Sequence, residues 1–324
     1  MHRKQLDIPV SHARKERLYH RYAVLVAAAT FLLIFAGGLV TSTGSGLAVP
    51  DWPLSFGQLF PPMEGGVLFE HGHRMVAAFV GLLTVVLAVW AWILGVRPAI
   101  RWLATAAVFL VVIQGVLGGI TVLYRLPLWV SVAHACLAQT FFCFVVVVAL
   151  LTGRSSLKTG SPRAGIRIDG LVTALTVTTT GTVFVQLLLG AMMRHLGAGG
   201  AIPDFPLAFG RIFPPIQSAG VAVHFLHRLG ALAVVLFFLS TTILVLRRHP
   251  GERRLRNPAL LGLGILAIQV GLGATVVWTG LAVIPTTAHV AVGAGVLACS
   301  LVLAIRAFQV TPFPVSGLPE GTTG

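Results

Sequence analysis

The sequence predicts an all-α integral membrane protein whose eight transmembrane helices form two tandem, parallel four-helix bundles related by a pseudo-twofold axis. Only 10% of the 324 residues are charged and 56% are hydrophobic, and the mean hydropathy is +0.91. A water-soluble fold of this size needs more polar surface than this composition supplies. Eight apolar stretches and an internal repeat are the other two observations behind the prediction.

Each apolar stretch is long enough to cross about 30 Å of hydrocarbon at about 1.5 Å per residue. Because the bilayer core offers no water to backbone groups, we expect helices that satisfy their own hydrogen bonds. The expected spans lie near residues 21–41, 73–95, 101–122, 129–151, 170–193, 222–246, 258–279 and 286–309.

The basic residues give the orientation. With the N-terminus in the cytoplasm, 18 of the 23 Lys and Arg residues fall on the cytoplasmic side. The positive-inside rule therefore places both termini in the cytoplasm of a bacterial-type cytoplasmic (inner) membrane. The net charge of +14 is explained by this loop asymmetry, so no nucleic-acid partner is expected.

The two halves of the chain repeat each other. Residues 50–62 and 203–215 are identical at nine of thirteen positions, and a His-Arg pair follows in each half. Four spans per half return the chain to the same side, so the repeats are expected to be parallel. The expected division is an N-terminal tail (1–20), an N-terminal half (21–151), a cytoplasmic linker (152–169), a C-terminal half (170–309) and a C-terminal tail (310–324).

Two long outer connections follow the first and fifth predicted helices, and each runs for about 30 residues. Each has a Gly-rich entry followed by the PDWP or PDFP element. Long connections of this kind usually carry function, so we expect each to lie over the outer mouth of its bundle. The alternative is an interfacial segment whose aromatic residues sit at the level of the lipid headgroups.

Four histidines lie at matched positions of the repeat, and each half supplies one pair. His73 and His227 are expected to begin the second and sixth helices, and His134 and His289 lie about one turn into the fourth and eighth. Ionisable groups at this depth usually face the bundle interior. Two helices that each contribute an imidazole can hold a heme iron from both faces. Hydrogen-bonded interfacial histidines are the alternative.

Arg74 and Arg228 directly follow two of these histidines. A guanidinium at the membrane surface can form a bidentate contact with a heme propionate. The alternative is an ordinary arginine that extends its charged end toward the headgroups.

The repeat is broken at Glu70, which aligns with His224. Three residues apart on a helix, Glu70 shares a face with His73. A carboxylate beside a bound macrocycle can move protons or stabilise a developing cation, which favours the first half for chemistry and the second for a permanent cofactor. A favourable interaction of Glu70 with the helix dipole is the alternative. His71 is expected to support a ligand or to be solvated, and His195, in the second outer loop, has no assigned role.

Taken together, these features resemble the heme A synthase family, membrane enzymes that oxidise a methyl group of heme O to the formyl group of heme A for cytochrome oxidase. The resemblance covers nearly the whole chain. It rests on the eight spans in tandem halves, Thr-Gly-Ser-Gly at 43–46, Glu-x-x-His-Arg at 70–74, and histidines 134, 227 and 289.

The resemblance implies specific roles for the histidines. His227 and His289 would be the axial ligands of a heme b cofactor, and Glu70, His73 and His134 would surround the substrate heme. Both hemes would lie toward the outer face. Two successive methyl hydroxylations, followed by loss of water, would give the aldehyde. Heme O synthase and the cytochrome oxidase assembly machinery would be the partners.

Many bacterial relatives carry a cysteine pair in an outer loop, and this sequence has none there. The electron donor and the oligomeric state, including a homo-oligomer, stay open. Two other functions also stay open. One is a quinol-linked di-heme electron-transfer protein, which needs no Glu70. The other is a repeat-built transporter with a proton relay, although Gln114 and Gln269 are the main polar residues near the middle of the spans.

Overall fold

The computed structural model describes residues 10–153 and 169–310, and these residues form eight long α-helices. Within the described residues the only β-type pairs are two isolated bridges, one in each long loop. The helices are α1 (Val10–Ser42), α2 (Gly65–Leu94), α3 (Pro98–Leu123), α4 (Leu128–Thr152), α5 (Gly170–His195), α6 (Ala219–Arg248), α7 (Arg253–Trp278) and α8 (Val283–Val310). The all-α prediction is confirmed. Residues 1–9, 154–168 and 311–324, which belong to the expected tails and linker, lie outside the described part.

The first helix begins earlier than the hydropathy pattern indicated, because its polar N-terminal turns pack against α2. Tyr19 is 1% exposed, and its hydroxyl donates to the carbonyl of Leu87 at 3.2 Å. The Tyr19 ring also meets Trp90 edge-on, with 5.7 Å between ring centroids. Residues 10–20 are therefore helical, although the sequence suggested a tail.

The expectation that His73 and His227 begin their helices was wrong. Helix α2 begins at Gly65 and α6 begins at Ala219, eight residues before the histidine in both cases. The residues between are largely apolar and contain no proline, so nothing interrupts the helix there. Both histidines consequently lie about 12 Å along the helix axis from its start.

Within each half, consecutive helices pack together and the fourth packs back on the first. Helices α1 to α4 make one such ring and α5 to α8 make the other. Helices α2 and α4 therefore stand diagonally across the first bundle, and α6 and α8 stand diagonally across the second. Helices α1 and α4 join the first half to α8 and α5 of the second. The pseudo-twofold axis itself stays a prediction.

All eight helices are long and apolar enough to cross a membrane, as expected from the sequence. Large apolar side chains such as Ile93 and Ile284 are about four-fifths exposed on the outside of the bundles, as lipid-facing residues are. The ends of α1, α3, α5 and α7 meet the starts of α2, α4, α6 and α8 at one end of the molecule, which we call the loop end. It carries the first loop (residues 43–64) and the second loop (residues 196–218).

Candidate functional site

The four matched histidines lie at nearly one level below the loop end. His73 and His227 are eight residues into their helices, and His134 and His289 are six residues into theirs. At about 1.5 Å per residue these depths are roughly 12 and 9 Å. Each pair comes from the two diagonal helices of one bundle, so its side chains can face each other across the interior.

The C-terminal pair has the spacing of two ligands on one iron. The ring centroids of His227 and His289 lie 6.4 Å apart, and the ring planes are inclined by 67°. An imidazole nitrogen lies about 2 Å from a bound metal, so rings on opposite sides of one iron have centroids about 6 Å apart. In the described part of the chain, no group of three or more His, Cys, Asp or Glu residues forms a metal site. The metal ligands that this site provides are therefore two imidazoles. Two imidazoles are a ligand set that can hold a heme iron.

Glutamines on the neighbouring helices orient this pair. The carbonyl of Gln269 lies 3.2 Å from Nδ1 of His289, and a carbonyl can only accept, so Nδ1 carries the proton. Nε2 of His289 is then the unprotonated nitrogen, and it lies 3.3 Å from the side-chain Nε2 of Gln269. A metal bound to Nε2 would take the place of that contact. Gln186 donates from Nε2 to the carbonyl of His227 at 2.8 Å and lies 3.1 Å from Nδ1 of the same ring.

Fewer hydrogen bonds hold the rings of the N-terminal pair, His73 and His134. His134 is close enough to His73 to interact with it electrostatically. Gln114, the counterpart of Gln269, donates to the carbonyl of His134 at 3.0 Å. Nδ1 of both histidines is buried without a hydrogen-bond partner in the described structure. Leu33 stands where the second half has Gln186, so His73 lacks the amide that holds His227.

Glu70 and its counterpart bind the same part of the two loops. Oε2 of Glu70 accepts a hydrogen bond from the backbone N–H of Val49 at 2.8 Å. In the second half, Nδ1 of His224 accepts the N–H of Ile202 at 3.3 Å. Oε1 of Glu70 also forms an ion pair with Arg74 at 2.7 Å, and the glutamate side chain is only 4% exposed. The carboxylate thus anchors the first loop as well as sharing a helix with His73.

Arg74 and Arg228 fasten the loops to α2 and α6. Nη1 of Arg74 donates to the carbonyls of Asp51 and Leu54, at 2.8 and 2.9 Å. Arg228 donates to the carbonyls of Asp204 and Leu207, at 2.7 and 2.8 Å. Arg74 and Arg228 are therefore not arginines that only extend toward the lipid headgroups, which was the alternative expected from the sequence. Contact with a propionate stays a proposal.

The PDWP and PDFP elements fold into the same turn. The two carboxylate oxygens of Asp51 accept the N–H groups of Phe56 and Gly57, at 2.7 and 2.8 Å, and both of those residues have positive φ. Donation from Gly57, supported by Phe56, lowers the pKa of Asp51. Asp204 makes the equivalent turn in the second loop, where the hydrogen bond from Gly210 is the largest of the effects that lower the pKa of Asp204. Sequence analysis found the repeat but not this role of the aspartates.

The two halves also differ at His71 and Ser55, next to the difference at Glu70. Nδ1 of His71 is 2.7 Å from the hydroxyl of Ser55, and Arg74 reaches the same hydroxyl at 3.3 Å. The second half has Phe225 and Ala208 at these positions. His71 is 6% exposed, so the solvated alternative does not hold, and the support of a heme ligand by His71 stays a prediction.

The first loop also reaches α3. A Cβ atom added to Gly119 would lie 2.5 Å from the indole of Trp52, so the ring lies against bare helix backbone. In the second loop, the indole N–H of Trp278 donates to the carbonyl of Phe205 at 3.2 Å. The loops therefore cover the loop end of the bundles, as expected, and Trp52 is more than an interfacial aromatic.

One contact between the halves was not predicted from the sequence. Arg194 donates from Nη2 to the carbonyl of Gly38 at 3.0 Å and to the hydroxyl of Ser42 at 2.7 Å, which ties α5 to α1. Its neighbour His195 is the last residue of α5 rather than part of the loop. His195 interacts electrostatically with His134. The only sequence signal for this contact was that Arg194 is one of the five basic residues that the positive-inside rule did not place in the cytoplasm.

Known proteins are similar to this chain over most of its length. Residues 20–301 match the COX15-CtaA family, described as cytochrome oxidase assembly protein. The chain belongs to this family. Among relatives named heme A synthase, that of Symbiobacterium thermophilum is 33% identical over 76% of this chain and 81% of its own length. That of Shouchella clausii is 30% identical over 80% and 86%. That of Geobacillus kaustophilus is 28% identical over 88% and 91%. The COX15-CtaA match begins in α1 and ends in α8, so it includes both histidine pairs.

Proposed function

We propose that this chain is a heme A synthase, a membrane oxidoreductase that converts a methyl group of heme O into the formyl group of heme A. The observation that carries the proposal is a histidine pair repeated in both halves, with an ion-paired carboxylate, Glu70, beside only one of them. Relatives that bear this name and cover most of the chain support the same conclusion. The di-heme electron-transfer and transporter alternatives have no comparable support.

The C-terminal half would hold heme b as the resident cofactor. Its axial ligands would be His227 and His289, whose rings have the separation of a bis-histidine site. Nδ1 of His289 donates to the backbone carbonyl of Gln269, and Gln186 donates to the backbone carbonyl of His227, so both rings are held in place. Bound heme b would supply one-electron transfer at a potential set by these ligands and their surroundings.

The N-terminal half would receive the substrate heme between His73 and His134. Weaker support of these two rings suits a molecule that has to enter and leave, because nothing described holds either Nδ1. Each of the two hydroxylations would insert one oxygen atom of dioxygen into a methyl C–H bond of the substrate, while two electrons delivered through heme b and two protons reduce the other oxygen atom to water. The gem-diol formed by the second hydroxylation would lose water to leave the aldehyde.

Glu70 is the acid–base group of this half. Its carboxylate is buried and paired with Arg74 next to the proposed substrate site. A carboxylate at this position can stabilise positive charge that develops on the neighbouring substrate, and Oε1 can transfer one of the protons that the hydroxylation consumes. The second half has no anion at the matching position.

Arg74 and Arg228 are proposed to contact the heme propionates in addition to the loops. A guanidinium has five N–H donors. Nη1 and Nη2 of Arg74 already donate to loop carbonyls and to Glu70, so its Nε–H is the donor left for a propionate. An arginine that holds a loop and a propionate together would close the loop over a bound heme. This links substrate binding to the position of the first loop.

The proposed setting is a bacterial cytoplasmic membrane, with both termini in the cytoplasm and both heme sites toward the outer face. The loop end carries few basic residues, as the positive-inside rule requires of the outer side. Heme O synthase would supply the substrate, and cytochrome oxidase assembly would consume the product. Electrons would pass through the heme b of the C-terminal half.

Co-expression with a heme O synthase, in a host that makes no heme A, tests the proposal. We expect the hemes extracted from the purified protein to include heme A or its hydroxylated precursor, together with heme b. Two permanently bound hemes b without any oxidised heme O, in a host shown to make heme O, would instead indicate the electron-transfer protein.

A further inference from the structure

Each of the four matched histidines rests its ring edge against a glycine of a neighbouring helix. The pairs are Gly37 with His73, Gly118 with His134, Gly190 with His227, and Gly273 with His289. In all four, a Cβ atom added to the glycine would lie 3.1 Å from Cε1 of the imidazole. The histidines come from one diagonal pair of helices in each bundle, and the glycines come from the other.

The distance shows what a larger residue would do to the imidazole. Carbon atoms in favourable contact are about 3.5 to 4.0 Å apart, so a methyl group at 3.1 Å pushes the ring away by several tenths of an ångström. The contact is made by Cε1, at the outer edge of the ring, so the rigid imidazole has to turn or shift as a whole to make room. The glycines therefore let the neighbouring helix approach each imidazole directly.

Three other glycines in the same helices have no close neighbour. Gly115, Gly181 and Gly271 lie in α3, α5 and α7, and an added Cβ would meet nothing within 4 Å. Glycine is unfavourable inside a helix compared with alanine, so four glycines placed against four ligand-type rings need a physical reason. The recurrence at matched positions of both halves rules out a local accident of packing.

We propose that Gly37, Gly118, Gly190 and Gly273 are positioning residues that form four glycine seats. Each seat sets the depth and tilt of one imidazole relative to a heme iron. The proposal rests on the proposed function only in that the ligand is heme. Replacing residues that orient metal ligands typically weakens metal binding by about 10- to 100-fold.

The seats have unequal backing in the two halves. In the second half, His289 has both its seat and the hydrogen bond from Nδ1 to Gln269, and the two contacts fix its ring together. In the first half, His134 has its seat but no Nδ1 partner in the described structure. A seat substitution in the second half should therefore distort a well-held ligand, which makes it the sharper spectroscopic test.

The test compares Gly190→Ala and Gly273→Ala with the control variants Gly181→Ala and Gly271→Ala, each as the full-length purified protein. The readouts are heme b per protein, the low-spin EPR g-values and the reduction potential of the heme. We expect on the order of tenfold weaker heme retention, or clearly shifted g-values, in the seat variants alone. The controls should match the unaltered protein, and size-exclusion profiles should show that all four variants fold.

Identical heme content, g-values and potential in seat and control variants would overturn the proposal. If one of the two seat variants fails to fold, the other is compared with its own control under the same criteria, and Gly118→Ala with the control Gly115→Ala repeats the folding comparison in the first half. Failure of the proposed function has a different signature: a protein with normal heme b that makes no heme A refutes the synthase and leaves the seats to be judged by their spectra. A chain that binds no heme refutes both.

Discussion

Glu70 and His224 occupy the same position in the two halves, and each accepts a backbone N–H from the loop of its own half. The two side chains anchor the loops in the same way and differ in charge. Only Glu70 brings an anion and an ion pair, with Arg74. The repeat therefore keeps the architecture of the site while one substitution separates the chemistry of the two halves.

Replacing Glu70 by Gln should remove the charge and keep an acceptor for the N–H of Val49. We expect bound heme b to be unchanged and heme A formation to fall by about a hundredfold or more, as when a general acid–base group is lost. Extracted hemes and turnover give the measurement. His224→Gln is the matched control and should keep its turnover. Equal turnover in the two variants would contradict a catalytic carboxylate.

Replacing Arg74 by Gln should destabilise the protein more than replacing Arg228 by Gln. Both changes remove hydrogen bonds to loop carbonyls, but only the first leaves a buried carboxylate without its cation. Breaking one partner of a buried ion pair costs about 3 kcal/mol. Thermal unfolding of the two variants in the same detergent checks the order, and an equal loss would mean that the Glu70 ion pair adds nothing.

Trp52 and Gly119 give a test of loop closure. A methyl group on Gly119 cannot coexist with the indole in its present place, so Gly119→Ala should lift the first loop from α3. We expect faster proteolysis within residues 43–64 and weaker binding of heme O. The second half carries Ala274 at the matching position, and Ala274→Gly is the control. Unchanged cleavage in Gly119→Ala would show that Trp52 does not hold the loop.

The loops should also respond to acid. Hydrogen bonds from Gly57 and Phe56 lower the pKa of Asp51, so the folded turn prefers the ionised carboxylate. Its contribution to stability is present above the unfolded pKa of about 3.9 and is lost as pH falls through the lower folded value. Pepsin cleavage of the first loop should therefore rise below about pH 4. Asp51→Asn should be cleaved at a rate that changes less with pH.

The sequence predicted the eight helices and the four histidines because both signals are local and repeated. Hydropathy marks each span, and His73 and His227 recur with the same neighbour in each half. It did not predict how Arg74 is used, since loop carbonyls become acceptors only when the loop has folded. It did not predict the seat at Gly273 either, because that contact joins two helices, and a glycine in an apolar helix looks the same whether or not a ring lies against it.

The division of labour between the halves is tested most directly by mass analysis of the hemes extracted from His73→Ala and His227→Ala, each co-expressed with a heme O synthase. His73→Ala should keep heme b and contain no heme A. His227→Ala should lose heme b itself, and its heme A formation should fail because electron transfer fails. Loss of the same heme to the same extent in both variants would contradict a substrate site in one half and a cofactor site in the other.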